Sequence, residues 1–437
     1  MGTPHMQTIR TRARYKVLGM AVLLAAITYT DRVCIAVTAP DIMRDLHLSQ
    51  VEMSLVFSAF TLAYALFEIP TGWWGDRMGT RRVLTRIVAW WSSFTMLTGA
   101  AANYGWLLAT RFLFGAGEAG AWPNVARTFS AWFPIGERGT AQGIFFMGAH
   151  LAGGLTPVLV TVLLAHLPWR ALFAIFGSVG FLWAMFWYRW FRDTPGEHPA
   201  ANAGERAYIE AGRAAPARTE GRTDWAALLA NRSVAALCLM YFTQSYGFNF
   251  YVTWLPAYLR DVRGYSGFPL GMLAGLPLTL SVLADLFGGI ATDRLTRRYG
   301  LRIGRAAVGG VSLAAAGMFL LAGTLTPSAV ACAILIGLAG AASNFLLGAA
   351  WSTCIDLGGA HSGVLSAAMN TSGQIGGILC PIVFGYLVQH RANWTLPLCF
   401  MAALYLAGAL CWIGVRPGGR HSRYPNLSNG KHSAERA

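Results

Sequence analysis

The sequence predicts an all-α protein that crosses a membrane many times, and three observations predict it. Of its 437 residues, 55% are hydrophobic and 12% charged, about half the charged share of a soluble domain. Apolar runs long enough to span a bilayer recur twelve times. They lie near 17–39, 53–74, 83–102, 104–127, 139–165, 169–191, 233–257, 269–291, 305–325, 328–350, 363–388 and 394–415. A helix rising ~1.5 Å per residue needs about 20 residues to cross a ~30 Å core. Finally, the pattern repeats: GWWGDRMGTRR, from Gly72, returns as GIATDRLTRR, from Gly289, at an offset of 217 residues. Two pseudo-symmetric bundles of six transmembrane helices are the expected architecture.

The elements follow in order. Residues 1–16 are basic and polar. The run behind them is too long for a signal-peptide core and has no small-residue cleavage site, so it reads as the first span. Residues 17–191 form the first bundle. Residues 192–232, rich in Ala, Gly, Pro, Glu and Arg, form a central loop. Residues 233–415 form the second bundle, and 416–437 a polar tail expected to be disordered.

Charge sets the orientation. The formal charge is +15, and only Lys16 and Lys431 are lysines. Arginines gather on the N-terminus (Arg10, Arg12, Arg14) and the even-numbered connections. Those hold Arg77, Arg81 and Arg82; Arg138; Arg192 to Arg222; and Arg294, Arg297, Arg298 and Arg302. The positive-inside rule places both termini in the cytoplasm, with the protein in the cell inner membrane among its lipids. No basic domain interleaved with aromatics appears, so nucleic acid is not an expected partner. The seven cysteines all fall in apolar runs without a CxxC pair. No disulfide framework, metal site or cofactor is expected. No nucleophile–base set is present, so the chain does not read as an enzyme. The central loop is also too short for a signalling domain.

Charged residues inside spans are costly and mark function. Span one carries Asp31 and Arg32 side by side; span four carries Arg111 and Glu118. Seven residues place the latter two on one helix face, about 10 Å apart. Counting from opposite membrane faces puts Asp31 and Arg32 at the depth of Arg111, with Glu118 deeper. Two acids and two bases are thus expected to balance around a central cavity. Arg32 offers a planar fork suited to a carboxylate, and Asp31 and Glu118 are titratable. The repeat carries Arg32 to Asn249, so the second half is expected to offer amides, hydroxyls and aromatics.

The loop filled by Gly72, Asp76, Arg77, Gly79, Arg81 and Arg82 resembles the signature of the major facilitator superfamily. Its second copy, with Asp293 and Arg294, is weaker, because Thr296 stands where Gly79 stood. The physical expectation is a cytoplasmic gate in which Asp76 meets an arginine or a helix N-terminus of the other half. Within that superfamily, DTPGEHPAANAGERAYI (Asp193–Ile209) and TRFLFGAGEAGAWPN (Thr110–Asn124) are similar to the anion:cation symporter family. Its members include bacterial sugar-acid and aromatic-acid importers. The resemblance implies a major facilitator fold, a monomer, and proton-coupled import of a small organic anion such as an aldonate. An anion exchanger or an aromatic- or dicarboxylic-acid importer is the alternative. It implies Arg32 on the substrate carboxylate, with Asp31, Glu118 and Arg111 in proton coupling. Further expected substrate contacts are Tyr29, Tyr64, Gln244, Asn249, Trp351 with Ser352, Asn370 and His150. His150 and Glu68 stand where relatives often carry glutamine; Glu68 is expected to snorkel or to touch a gate.

Overall fold

The computed structural model describes residues 10–212, 231–391 and 394–416; the rest of the central loop and the C-terminal tail lie outside them. Sixteen α-helices occur among the described residues. The first half holds α1 (Ala13–Asp45), α2 (Gln50–Met78), α3 (Thr80–Gly99), α4 (Tyr104–Glu118), α5 (Ala121–Trp132), α6 (Arg138–Leu164) and α7 (Trp169–Trp190). Helix α8 (Ala203–Ala211) lies in the central loop. The second half holds α9 (Arg232–Thr253), α10 (Leu255–Asp261), α11 (Gly267–Tyr299), α12 (Leu301–Leu325), α13 (Ala329–Phe345), α14 (Leu347–Gly358), α15 (Ser362–Arg391) and α16 (Thr395–Gly414).

Three pairs are single passes with a break. α4 and α5 part at Ala119–Gly120, α9 and α10 at Trp254, and α13 and α14 at Leu346. Merging them yields twelve passes. Eight stretches are long and apolar enough to cross a membrane by length and composition alone. One of these runs from Ala329 to Gln389 and holds two passes. The shortfall has a physical reason: α3 opens with Arg81, Arg82 and Arg86, and the broken passes carry polar groups inward.

The halves meet along α2 against α15 and α6 against α11. Glycines permit the approach. A Cβ on Gly72 would lie 2.7 Å from the Gly363 carbonyl oxygen, and one on Gly139 would lie 2.9 Å from that of Gly289. Gly72→Leu is therefore expected to force the halves apart. The check is cross-linking between cysteines introduced at Met78 and Gly359, which should fall at least fivefold.

The second copy of the repeat has not lost its turn glycine. Gly79, between α2 and α3, has φ 84°, and Gly300, between α11 and α12, has the same φ. Helix α11 runs one turn further before the same left-handed corner, so Thr296 is helical and Gly300 does the turning.

The Asp193–Ile209 stretch is a collar at the end of the bundle that carries the chain termini. Asp193 accepts from the Arg81 backbone N–H at 2.8 Å and caps α3. Glu205, fully buried, accepts from Thr11 Oγ1 at 2.6 Å and from the backbone N–H groups of Ala13 and Arg14, at 3.0 and 3.2 Å. It thus caps α1 from α8. Burial opposes the charged form of Glu205, but the hydrogen bonds from Thr11, Arg14 and Ala13 outweigh it and hold the carboxyl below the ordinary glutamate range. The cap is present above the free glutamate value of about 4.3 and lost as pH falls through the lowered one. Amide exchange at Thr11–Arg14 should rise below about pH 4, and in Glu205→Gln already at neutral pH.

Candidate binding cavity and gate

A cavity of about 220 Å³ lies between the halves. The N-terminal half contributes Tyr29 and Arg32 from α1, Tyr64 from α2, Trp122 from α5 and His150 from α6. The C-terminal half contributes Gln244 and Asn249 from α9, Asn344 from α13 and Asn370 from α15.

Arg32 presents its guanidinium in an aromatic cage, 4.7 Å from the Tyr64 ring centre, 5.3 Å from Trp122 and 5.9 Å from Tyr29. Its Nε donates to Glu118 Oε1. Glu118 is fully buried and stands behind the wall. The break at Ala119–Gly120 follows it directly and lets α5 turn Trp122 into the cavity.

Asp31 and Arg111 form a second layer, 1% and 2% exposed. Arg111 acts on Asp31 as the opposite charge and Glu118 as a like one. Neither Asp31 oxygen accepts a hydrogen bond of ordinary geometry; Trp91 and Thr95 of α3 are the polar side chains that act on it. The Arg111 guanidinium packs 3.9 Å from the Phe114 ring centre. Arg32 and Glu118 form the one direct ion pair of the four among the described residues, Asp31 and Arg111 lie close enough to act on each other electrostatically, and Arg32 alone reaches the cavity wall.

Some expected contacts lie elsewhere. Trp351 is fully buried and donates from Nε1 to Tyr241 Oη at 3.1 Å; Tyr241 and Phe146 separate it from the cavity. Ser352 spends its hydroxyl on the Gly348 carbonyl of its own helix. Asn370 lines the cavity but donates to Glu68 Oε1 across the halves, and Thr371 donates to the other Glu68 oxygen at 3.2 Å. Glu68 does not snorkel; it is buried between the halves.

The second half is not free of charge, contrary to the reading from Asn249. Asp285 of α11, fully buried, holds His150 Nδ1 at 2.6 Å. The sequence signal was there: Asp285 is an acid inside span eight, in SVLADLFGG. Asn344 was missed likewise. Its amide donates to Ser281 Oγ at 2.8 Å, and its oxygen accepts from Gln244 at 3.2 Å.

Below the cavity, towards the terminal end, two acids reach across the halves. Asp76 accepts from the backbone N–H groups of Gly363 and Val364, both at 2.9 Å, at the start of α15. Asp293 accepts from those of Gly139 and Thr140, at 2.9 and 2.6 Å, at the start of α6. Arg127 pairs with Asp76 at 3.4 Å, and Arg305 with Asp293 at 3.3 Å. Asp356 joins Arg305 to Arg138 of the other half, at 3.1 and 2.7 Å. The motif arginines stand apart from this gate. Arg77, Arg82 and Arg294 are exposed, and Arg81 donates to the Tyr188 carbonyl within its own half. Among the described residues, the hydrogen bonds between halves all run from the cavity to this end.

Residues 21–381 match the Major Facilitator Superfamily. The chain belongs to this superfamily. It is a multi-pass membrane transporter and not an enzyme. The transporter is 36% identical to a protein of Cupriavidus necator described as "Probable sulfoacetate transporter SauU", over 93% of this chain and 95% of that one. It is 30% identical to the "Probable galactarate/D-glucarate transporter GudP" of Bacillus subtilis, over 92% of each. Its fold is that of the proton:xylose symporter XylE, with a TM-score of 0.72 at 14% identity, over 92% of the transporter and 96% of that chain.

Proposed function

We propose that the protein imports a small organic anion together with protons by alternating access. The acid would be a sugar acid or a short sulfonated acid, as the descriptions of its relatives suggest. The observation that carries this reading is Arg32: a guanidinium set in the cavity wall, with its neutralising carboxylate behind it. An incoming carboxylate competes with Glu118 for that fork. A proton on Glu118 releases Arg32 to the substrate, and the anion then stands in for the lost charge. Asp31, coupled to both Glu118 and Arg111, is the second proton carrier. Coupled carboxylates share their protons as a set.

The arginines on the terminal end support a cytoplasmic location for it. The state described is then closed to the cytoplasm. Separation of the two acid-to-helix ties, of Glu68 from Asn370 and of His150 from Asp285 opens it. Reconstituted protein should accumulate galactarate or sulfoacetate under an inward proton gradient at least tenfold over a no-gradient control. Equal uptake in both would remove the coupling.

Asp76→Asn with Asp293→Asn should loosen the closed gate. A charged cap on a helix start contributes about 1 kcal/mol, so the pair shifts the open population about thirtyfold. The distance between spin labels at Arg82 and Arg298 reads this shift.

A further inference from the structure

We infer that His150 and Asp285 form a second acid-recognition subsite, so that the cavity takes a compact anion carrying two acid groups. This rests on the reading that Arg32 takes the first.

The two positions are built alike. Arg32 faces the cavity and Glu118, fully buried, holds it from behind. His150 faces the cavity and Asp285, fully buried, holds its Nδ1 from behind at 2.6 Å. Neither carboxylate lines the cavity. The two heads flank one ring: the His150 ring centre lies 6.0 Å from that of Tyr29, and the Arg32 guanidinium carbon lies 5.9 Å from it. A short diacid bridges such a gap within about 220 Å³.

The chemistry follows from the pairing. A buried acid in an apolar span needs a polar partner, and His150 is the group that touches Asp285. Asp285 on Nδ1 fixes the orientation of the ring, so that Nε2 is presented on its other side. Nε2 has no protein partner among the described residues, so it is available to hydrogen-bond a second acid group. The remaining C-terminal wall is neutral: Gln244, Asn249 and Asn344 suit the hydroxyls or short spacer between two acids. The arrangement also explains why the histidine reaches across the halves. Glu118 belongs to the first and Asp285 to the second, so a diacid held by Arg32 and His150 together senses both halves.

The test is calorimetric binding to the purified full-length protein at pH 6. Galactarate and sulfoacetate carry two acid groups; galactonate and acetate are their single-acid counterparts. The wild type should bind each diacid at least tenfold more tightly than its counterpart. His150→Gln and Asp285→Asn, each judged folded by a monodisperse elution profile, should each lower that ratio at least tenfold. One folded variant suffices. A wild-type preference for single acids, or variants that weaken both classes alike, overturns the subsite. Acid binding that depends on Arg32 with an unaltered ratio overturns the subsite and leaves the Arg32 reading standing. Absence of any acid binding overturns both.

Discussion

Arg32→Gln is expected to abolish binding and uptake of every acid the protein carries. Two losses add. The substrate loses its charged fork, and Glu118 is left buried without its partner. Removing one member of a buried charge pair costs about 2–5 kcal/mol, which corresponds to roughly thirtyfold to several thousandfold in affinity. Arg32→Lys should fall between, because an ammonium keeps the charge but not the planar pair of donors. Affinities of the purified variants, measured with the acid that binds the wild type best, provide the check. Affinity within threefold of the wild type in Arg32→Gln would place the substrate carboxylate elsewhere.

Glu118→Gln is expected to separate exchange from accumulation. The glutamine resembles a permanently protonated glutamate, so Arg32 is always released to the substrate. No proton enters or leaves through this position. Uptake driven by an inward proton gradient should fall at least tenfold, while counterflow of labelled acid against unlabelled acid persists. Asp31→Asn is the companion measurement. If gradient-driven uptake survives in Glu118→Gln and disappears in Asp31→Asn, the proton carrier is Asp31, and Glu118 serves only to hold Arg32. Unchanged accumulation in both variants would remove these carboxylates from coupling altogether.

The passes themselves were legible, because twenty apolar residues in a row have few other uses. The meeting of Arg32, Asp31, Arg111 and Glu118 was legible too, since helical rise and two entry points set their depths. The order of pairing was not. Depth does not say which face of α1 turns towards α4, so the contact of Arg32 with Glu118 emerged only in three dimensions. The breaks at Trp254 and Leu346 sit in largely apolar runs, and that at Gly120 directly follows Glu118. Gly120 itself, with Pro123 and Pro256 just inside the helices that follow, gave local signs for two of the three. Trp351 and Ser352 show the opposite limit: a polar atom in a span says nothing about whether it faces a cavity or a neighbouring helix. Asp285 lies in a different pass from Asn249, the position that the repeat makes equivalent to Arg32. Nothing in the sequence marks Arg127 and Arg305 as parts of the gate. Yet Arg305 is fully buried and holds Asp293 and Asp356 together.

The crossed caps have a consequence for how the gate moves. Each half leaves a helix start unfinished and completes the one opposite, Asp76 on α15 and Asp293 on α6. Once uncovered, the amide N–H groups at a helix start bond readily to water. The outermost fastenings can therefore be exchanged for solvent one at a time, without leaving a bare polar group at any stage. The inner ties, Glu68 to Asn370 and His150 to Asp285, have no such substitute until water has followed the opening inward. Release through this end should then proceed from the rim to the centre, as a wetting front, with the last contact to part being one that lies beside the cavity.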